Sequence, residues 1–230
     1  EDRRQLARKI GFLVERMRCA ADEFKLVVEV VPRFVADALA VAGSLVAETE
    51  RPLHLLGHLF GGLVARATAV RQLGEQMAAA SEPLFSSLTL LASGPAAVPG
   101  DLQIVAAQLV SLLPHTSLHE IWEQKETADR ANGWRPPNAE VHEFLKHRFT
   151  SNNPHALSAK AEILIEIEDA VDVLADLAAT AGLPTLVAYG ANDDRWPPDQ
   201  QEQMAYRLGA RRLRWPNAAH SPNAEQPEMC

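Results

Sequence analysis

Apolar residues follow two different spacings along the chain, and the two alternate through most of its length. Short runs of consecutive apolar residues are typical of strands buried on both faces, and apolar residues that recur every three or four positions are typical of amphipathic helices. The short runs predict strands at 26–31, 52–57, 86–93, 184–190 and 211–215. The helical spacing predicts helices at 2–24, 33–47, 59–73, 101–113, 116–132, 138–149, 155–180 and 199–208.

This alternation of strands and helices predicts an α/β fold. Because short apolar strands are separated by helices, we expect a predominantly parallel sheet of about five strands with helices on both faces. The middle of the chain differs, since residues 97–168 carry several helical patterns and few strand signals. We therefore predict a helical lid insertion at 97–168, within an α/β core made of residues 1–96 and 169–230.

Composition narrows the class of protein. The chain has 230 residues, of which 47% are hydrophobic, enough for one sizeable domain with its own core. The net charge of −8 and the lack of a basic stripe argue against nucleic acid as a partner. No apolar run is long enough to span a membrane, and residues 1–4, EDRR, do not start a signal peptide. With only Cys19 and Cys230 as thiols, we expect a soluble cytoplasmic protein without a disulfide framework.

The most informative stretch is residues 51–66, RPLHLLGHLFGGLVAR. An apolar run passes into a helical pattern, with Gly57 and Gly61 two residues on either side of Leu59. This spacing matches the nucleophile elbow, G-x-S-x-G, a strand-to-helix turn too tight for side chains at its glycine positions. The central residue here is leucine instead of serine.

Two polar residues follow the last two predicted strands. Asp193 comes after the strand at 184–190, with Asp194 as an alternative, and His220 comes after the strand at 211–215. Functional sites in open parallel sheets form at the carboxyl ends of the strands. A glycine-flanked elbow, then an acid, then a histidine is the chain order of a hydrolase triad.

These motifs together resemble the α/β-hydrolase superfamily over roughly residues 26–230. The sequence is similar to the bacterial members with a helical lid, of the esterase, epoxide-hydrolase and haloperoxidase-like type. The resemblance implies that Leu59 lies at the nucleophile position, that Asp193 is the acid and that His220 is the base. It also implies a small apolar or ester-like molecule as ligand.

The resemblance assigns further residues and shows departures. His58 and Phe60 match the two elbow residues beside the nucleophile position, and with Trp196 they are candidates for the oxyanion or pocket region. No His-Gly pair precedes the elbow, and the helix expected after the final histidine is missing. The chain therefore looks like a family member shortened at both ends.

Three functions remain open from the sequence. Leucine cannot be deprotonated, so the acyl-enzyme route has no nucleophile, and the chain could be an ester or amide hydrolase scaffold without that activity. The Asp193–His220 pair could instead transfer protons without a covalent step. The chain could also be a non-catalytic pseudo-hydrolase that binds a ligand or a partner, with a homodimer through an exposed sheet edge. We expect no cofactor and no metal, since His115 and His119 have an i, i+4 spacing without a third ligand.

Overall fold

The computed structural model describes residues 27–49, 51–80 and 83–229. The chain divides into two compact units. The first is formed by the segments up to Pro99 and from Glu166 onward, and the second by Gly100–Ile165. The helix predicted at 2–24 lies outside the described residues. Within those residues, no helix is long and apolar enough to cross a bilayer.

A parallel sheet forms the centre of the first unit, as predicted. Its four described strands lie in the order β1-β2-β3-β4, and every neighbouring pair is parallel. The strands are β1 Leu53–His58, β2 Phe85–Leu91, β3 Thr185–Gly190 and β4 Arg211–Trp215. Since all four run in one direction, their carboxyl ends lie along the same edge of the sheet.

Helices connect and flank these strands. Those of the first unit are α1 Val27–Thr49, α2 Phe60–Ala79, α7 Val171–Ala181, α8 Pro198–Arg207 and the single turn α9 Pro222–Glu225, which precedes a 3-10 turn at Pro227–Met229. Those of the middle of the chain are α3 Gly100–Leu112, α4 Leu118–Ala131, α5 Ala139–Thr150 and α6 Pro154–Glu166. The short α9 shows that a helical turn does follow His220, which the sequence did not predict.

The main hydrophobic core of the first unit lies against one face of the sheet. Leu88 and Leu90 of β2 alternate along the strand and share this face with Val187 and Tyr189 of β3. Helices α2, α7 and α8 cover them with buried side chains that include Leu73, Leu174 and Met204. These three helices therefore pack against the same face of the sheet.

The strand predicted at 26–31 is wrong, because residues 27–31 belong to α1. A short apolar run fits a buried strand and a buried helix face equally well. The buried residues Val31, Val35 and Ala42 are four and seven positions apart, which is the repeat of a helix. Pro32 lies inside this helix instead of ending a strand. The described sheet therefore has four strands where about five were expected.

The single helix predicted at 155–180 is also wrong, because α6 ends at Glu166 and α7 begins at Val171. The Asp169 carboxylate lies in the break and accepts a hydrogen bond from the Val171 N–H at 2.9 Å. It also accepts one from the Arg207 guanidinium at 2.6 Å. A carboxylate that satisfies the free N–H groups of a helix start favours a new helix there.

In the middle unit, α4 begins with a capping box. The Ser117 hydroxyl accepts from the Glu120 N–H at 3.2 Å, and the Glu120 carboxylate accepts from the Ser117 N–H at 2.9 Å. Farther along α4, the Trp122 ring lies 5.8 Å from the Phe149 ring of α5. The capping box therefore stabilises the start of α4, and the aromatic contact packs α4 against α5.

Candidate active site

The turn between β1 and α2 has the geometry of a nucleophile elbow. Leu59 is the one residue between the strand and the helix, with φ 53° and ψ −121°. Its N–H donates to the Leu91 carbonyl at 3.2 Å, and its carbonyl accepts from the Gly62 N–H at 2.9 Å. Positive φ in a residue other than glycine costs about 1–3 kcal/mol. The strained turn is thus present even though a leucine occupies it.

Close packing at this turn requires a glycine at position 57 but not at position 61. A Cβ at Gly57 would lie 2.2 Å from the Gly61 carbonyl oxygen, so strand and helix could not approach as they do. At Gly61 a Cβ would meet nothing within 4 Å among the described residues. The next residue, Gly62, is the second tight position, since a Cβ there would lie 2.4 Å from the Ser93 hydroxyl oxygen. The expectation that Gly61 is needed for space is wrong.

An acid–imidazole pair lies at the ends of β3 and β4. The His220 Nδ1 is 2.9 Å from the Asp193 Oδ1. The Asp193 side chain is fully buried, whereas 17% of the His220 side chain is exposed. The alternative acid, Asp194, is mostly exposed and lies 3.5 Å from the Arg195 guanidinium. The structure therefore pairs His220 with Asp193.

Gln201 of α8 holds the second oxygen of this acid. Its Nε2 donates to the Asp193 Oδ2 at 2.9 Å and to the Trp196 carbonyl at 2.8 Å. Burial raises the pKa of Asp193, but hydrogen bonds from His220, the Arg195 N–H and Gln201 outweigh it and hold this pKa below its usual value. Sequence reasoning missed Gln201, although it is three and four positions from the buried Met204 and Ala205. A polar residue on the buried face of a helix is the signal that could have found it.

His58 connects the elbow to the His220 loop. Its Nε2 donates to the His220 carbonyl at 3.1 Å, and the two imidazole rings are 5.3 Å apart between centroids. His58 directly precedes Leu59, so the elbow and the acid–imidazole pair belong to one site. The other elbow neighbour, Phe60, makes an edge-to-face contact with Phe34 of α1 at 5.5 Å.

Trp196 lies in the core below the loop that follows β2. It is fully buried, and its ring packs so closely on Gly94 that a Cβ there would lie 2.0 Å from the ring. The Gly94 carbonyl also accepts a hydrogen bond from buried Arg66 at 3.1 Å. Burial lowers the pKa of Arg66 to about 10, with Asp169 opposing that shift. These contacts fix the loop after β2, between the strands that carry the elbow and the acid.

The pair can act as a base but has no visible group to activate. Because a carboxylate accepts hydrogen bonds, the Nδ1 of His220 carries its proton toward Asp193, and the lone pair lies on Nε2. That Nε2 is buried and has no hydrogen-bond partner among the described residues. Leu59 offers neither a proton nor a lone pair. In the described part of the chain, no cluster of three or more His, Cys, Asp and Glu residues could hold a metal ion.

Fold and site together define a parallel α/β protein with an acid–histidine pair beside a strand–turn–helix elbow. A sequence model described as the alpha/beta hydrolase family matches residues 24–230, and the chain belongs to that family. The resemblance of the motifs to the α/β-hydrolase superfamily is thereby confirmed. A comparison with curated proteins finds no match.

Solved structures of other hydrolases share this fold. A hydrolase from Pseudomonas aeruginosa has a TM-score of 0.62 and a sequence identity of 22%. The alignment covers 86% of this chain and 68% of the Pseudomonas chain. An esterase from Thermogutta terrifontis has a TM-score of 0.62 and an identity of 23%, and the alignment covers 85% of this chain and 66% of the esterase. An enol-lactonase from Burkholderia xenovorans has a TM-score of 0.62 and an identity of 18%, and the alignment covers 86% of this chain and 69% of the lactonase. At this identity the likeness shows the fold, and the chain spans about two thirds of each structure's length.

Proposed function

We propose that this chain is related to small-molecule ester and amide hydrolases and has lost the covalent route at residue 59 while keeping the acid–base pair. One observation supports this most directly. His220 is bonded through Nδ1 to Asp193 at 2.9 Å and leaves Nε2 without a partner, and the elbow beside it carries Leu59. The site thus has the base of a hydrolase without the group that the base would deprotonate.

The chemistry of the acyl-enzyme route explains why leucine closes it. In that route a hydroxyl oxygen attacks the carbonyl carbon, and the histidine takes the hydroxyl proton as the new bond forms. A leucine side chain has no lone pair with which to attack and no acidic proton to give up. Ester turnover by the natural sequence should therefore be close to the uncatalysed rate.

The family supports a proposal for the class of ligand. Two of the structural neighbours are named as an esterase and an enol-lactonase. We infer that a small ester or lactone carbonyl is the chemical group that this site accommodates. The aliphatic Leu59 side chain at the elbow would favour an apolar group beside that carbonyl.

The test restores the missing oxygen. Leu59→Ser should raise hydrolysis of short p-nitrophenyl esters by at least roughly 10²-fold, the lower end of what a positioned general base contributes. Leu59→Ala is the matched control, because it removes the leucine side chain without adding a nucleophile, and it should give no gain. Adding His220→Ala to Leu59→Ser should abolish the gain. If Leu59→Ser keeps the fold and gains nothing, the proposal is wrong.

A second candidate is proton transfer by the Asp193–His220 pair alone. The unpartnered Nε2 favours it, since a general base needs a free lone pair and no covalent step. Exchange of an acidic C–H proton next to a carbonyl, followed in deuterated water, would then disappear in His220→Ala. It would persist in Leu59→Ala, which separates this activity from the ester hydrolysis tested above.

A non-catalytic role through a sheet edge is the third candidate. Among the described strands β1 and β4 are the edges. Edge β4 carries exposed Arg211, Arg212 and Arg214, and such charges discourage strand pairing. Edge β1 has no charged residue, and its Leu56 is 60% exposed. A homodimer through β1 should dissociate in Leu56→Lys, and sedimentation that shows a monomer in the natural sequence would rule it out.

A further inference from the structure

A carboxylate outside the acid–imidazole pair holds the main chain on both sides of His220. The Oε2 of Glu225, at the end of α9, accepts from the Ala219 N–H at 2.5 Å, and its Oε1 accepts from the Ser221 N–H at 2.8 Å. One carboxylate therefore spans the two N–H groups that flank the histidine. The Glu225 N–H donates in turn to the Ser221 carbonyl at 2.9 Å.

His58 holds the backbone group that lies between these two. Its Nε2 donates to the His220 carbonyl at 3.1 Å. One backbone group in each of three successive residues is thus bonded by two side chains: the N–H of 219, the C=O of 220 and the N–H of 221. We call Glu225 and His58 the His220 clamp. Bonds from N–H groups to a carboxylate are stronger than those between neutral groups, so Glu225 is the stronger half of the clamp.

We propose that Glu225 is a positioning residue that fixes the His220 imidazole with Nδ1 toward Asp193 and Nε2 unpartnered. It acts through the backbone on either side of the histidine, whereas Gln201 acts on the acid. The clamp does not involve the residue 59 side chain, and this explains how the acid–imidazole pair forms beside a leucine. The inference deepens the proposed function, whose base it positions, but it concerns the imidazole itself and requires no turnover.

The chemistry of residue 225 gives a graded series of variants. A glutamate offers one oxygen to each N–H, a glutamine offers a single oxygen, and an alanine offers none. Glu228, in the 3-10 turn Pro227–Met229, is exposed and carries the same charge, so Glu228→Ala is a matched control. For the other half of the clamp, His58→Gln keeps an N–H donor near the same position and His58→Leu removes it.

The experiment observes the imidazole and the backbone beside it, by NMR of the full chain labelled uniformly with ¹⁵N. The natural sequence should show a slowly exchanging, downfield Nδ1–H proton from His220, assigned by its loss in His220→Gln. In Glu225→Ala this signal should disappear into exchange with water. The backbone protons of 219 and 221 should exchange at least about tenfold faster, as expected when a bond to a charged acceptor is lost. Glu225→Gln should be intermediate, and Glu228→Ala should match the natural sequence.

Two results would overturn the proposal. The first is Glu225→Ala with a lower melting temperature and an unchanged Nδ1–H signal, since Glu225 would then stabilise the fold without positioning the imidazole. If Glu225→Ala does not fold, a Glu225→Gln variant identical to the natural sequence in both measurements has the same meaning. A failure of Leu59→Ser to hydrolyse esters would leave these signals unaffected, so the two proposals fail separately.

Discussion

The two corners of the candidate site differ in the side chains that they carry. At the elbow corner, from β1 through Leu59 to α2, the backbone has φ 53° and ψ −121° at residue 59, and the side chain there is aliphatic. At the acid–base corner, the side chains are polar, and the His220 Nδ1 lies 2.9 Å from the Asp193 Oδ1. The difference shows that the backbone of the elbow is set by the packing of a strand against a helix. It does not depend on what the central side chain can do.

The largest change in stability should come from adding a side-chain carbon at the tight glycine of the elbow corner. In Gly57→Ala the new Cβ would lie 2.2 Å from the Gly61 carbonyl oxygen, so strand or helix must move. We expect the free energy of unfolding to fall by about 3 kcal/mol, as for severe overpacking. Urea denaturation measures it. Gly43→Ala in α1, where a Cβ meets nothing within 4 Å among the described residues, is the control and should not destabilise. Equal stability of the two variants would contradict this account of the elbow.

The contribution of the acid–base corner to the free energy of unfolding should depend on pH. Asp193→Asn should cost about 1–3 kcal/mol at neutral pH, since it removes a buried charge-assisted acceptor. Because the folded pKa of Asp193 lies below its unfolded value, the stabilisation is complete above an unfolded pKa of about 4 and is lost as pH falls through the folded pKa. Unfolding curves of both proteins should therefore converge in acid. Asp194→Asn changes a side chain that is 66% exposed and keeps Asp193, so its unfolding curves should follow those of the natural sequence at every pH.

A difference in stability of similar size should reveal the strain at residue 59. Leu59→Gly and Leu59→Ala both remove the side chain, but only glycine adopts this positive φ without cost. We expect the glycine variant to be more stable than the alanine variant by about 1–3 kcal/mol. Thermal and chemical unfolding of the two proteins test this. A more stable alanine variant would mean that the turn relaxes and that the strain is not stored.

The smallest effect should be a stabilisation, at Gly61, two residues after Leu59. Gly61 lies in α2, and a Cβ there meets nothing within 4 Å among the described residues. Gly61→Ala should therefore stabilise the protein by about 0.5–1 kcal/mol, the usual cost of glycine inside a helix. The same unfolding measurement applies. Destabilisation by more than this amount would show that the second glycine of the motif is required after all.

Much of the site could be predicted from the sequence, because its parts are local signals. Glycines around Leu59 indicated the turn, and Asp193 and His220 each followed an apolar run. Where signals were ambiguous, prediction failed, as for residues 26–31, whose apolar run suits a strand and a helix alike. Gln201 and Glu225 were missed because a polar residue in a helix usually faces water. Their roles depend on acceptors and donors that only the folded loops bring near.

The sequence by itself determined the parallel α/β class and the order of elbow, acid and histidine. These follow from apolar spacing and from residue types, which do not depend on distant contacts. Only the tertiary structure decided that Asp193 instead of Asp194 pairs with His220, and that Gly62 instead of Gly61 is the second tight position. The physical reason is the same in both cases. Burial, hydrogen-bond partners and close approach arise between segments far apart in the chain, and no local pattern encodes them.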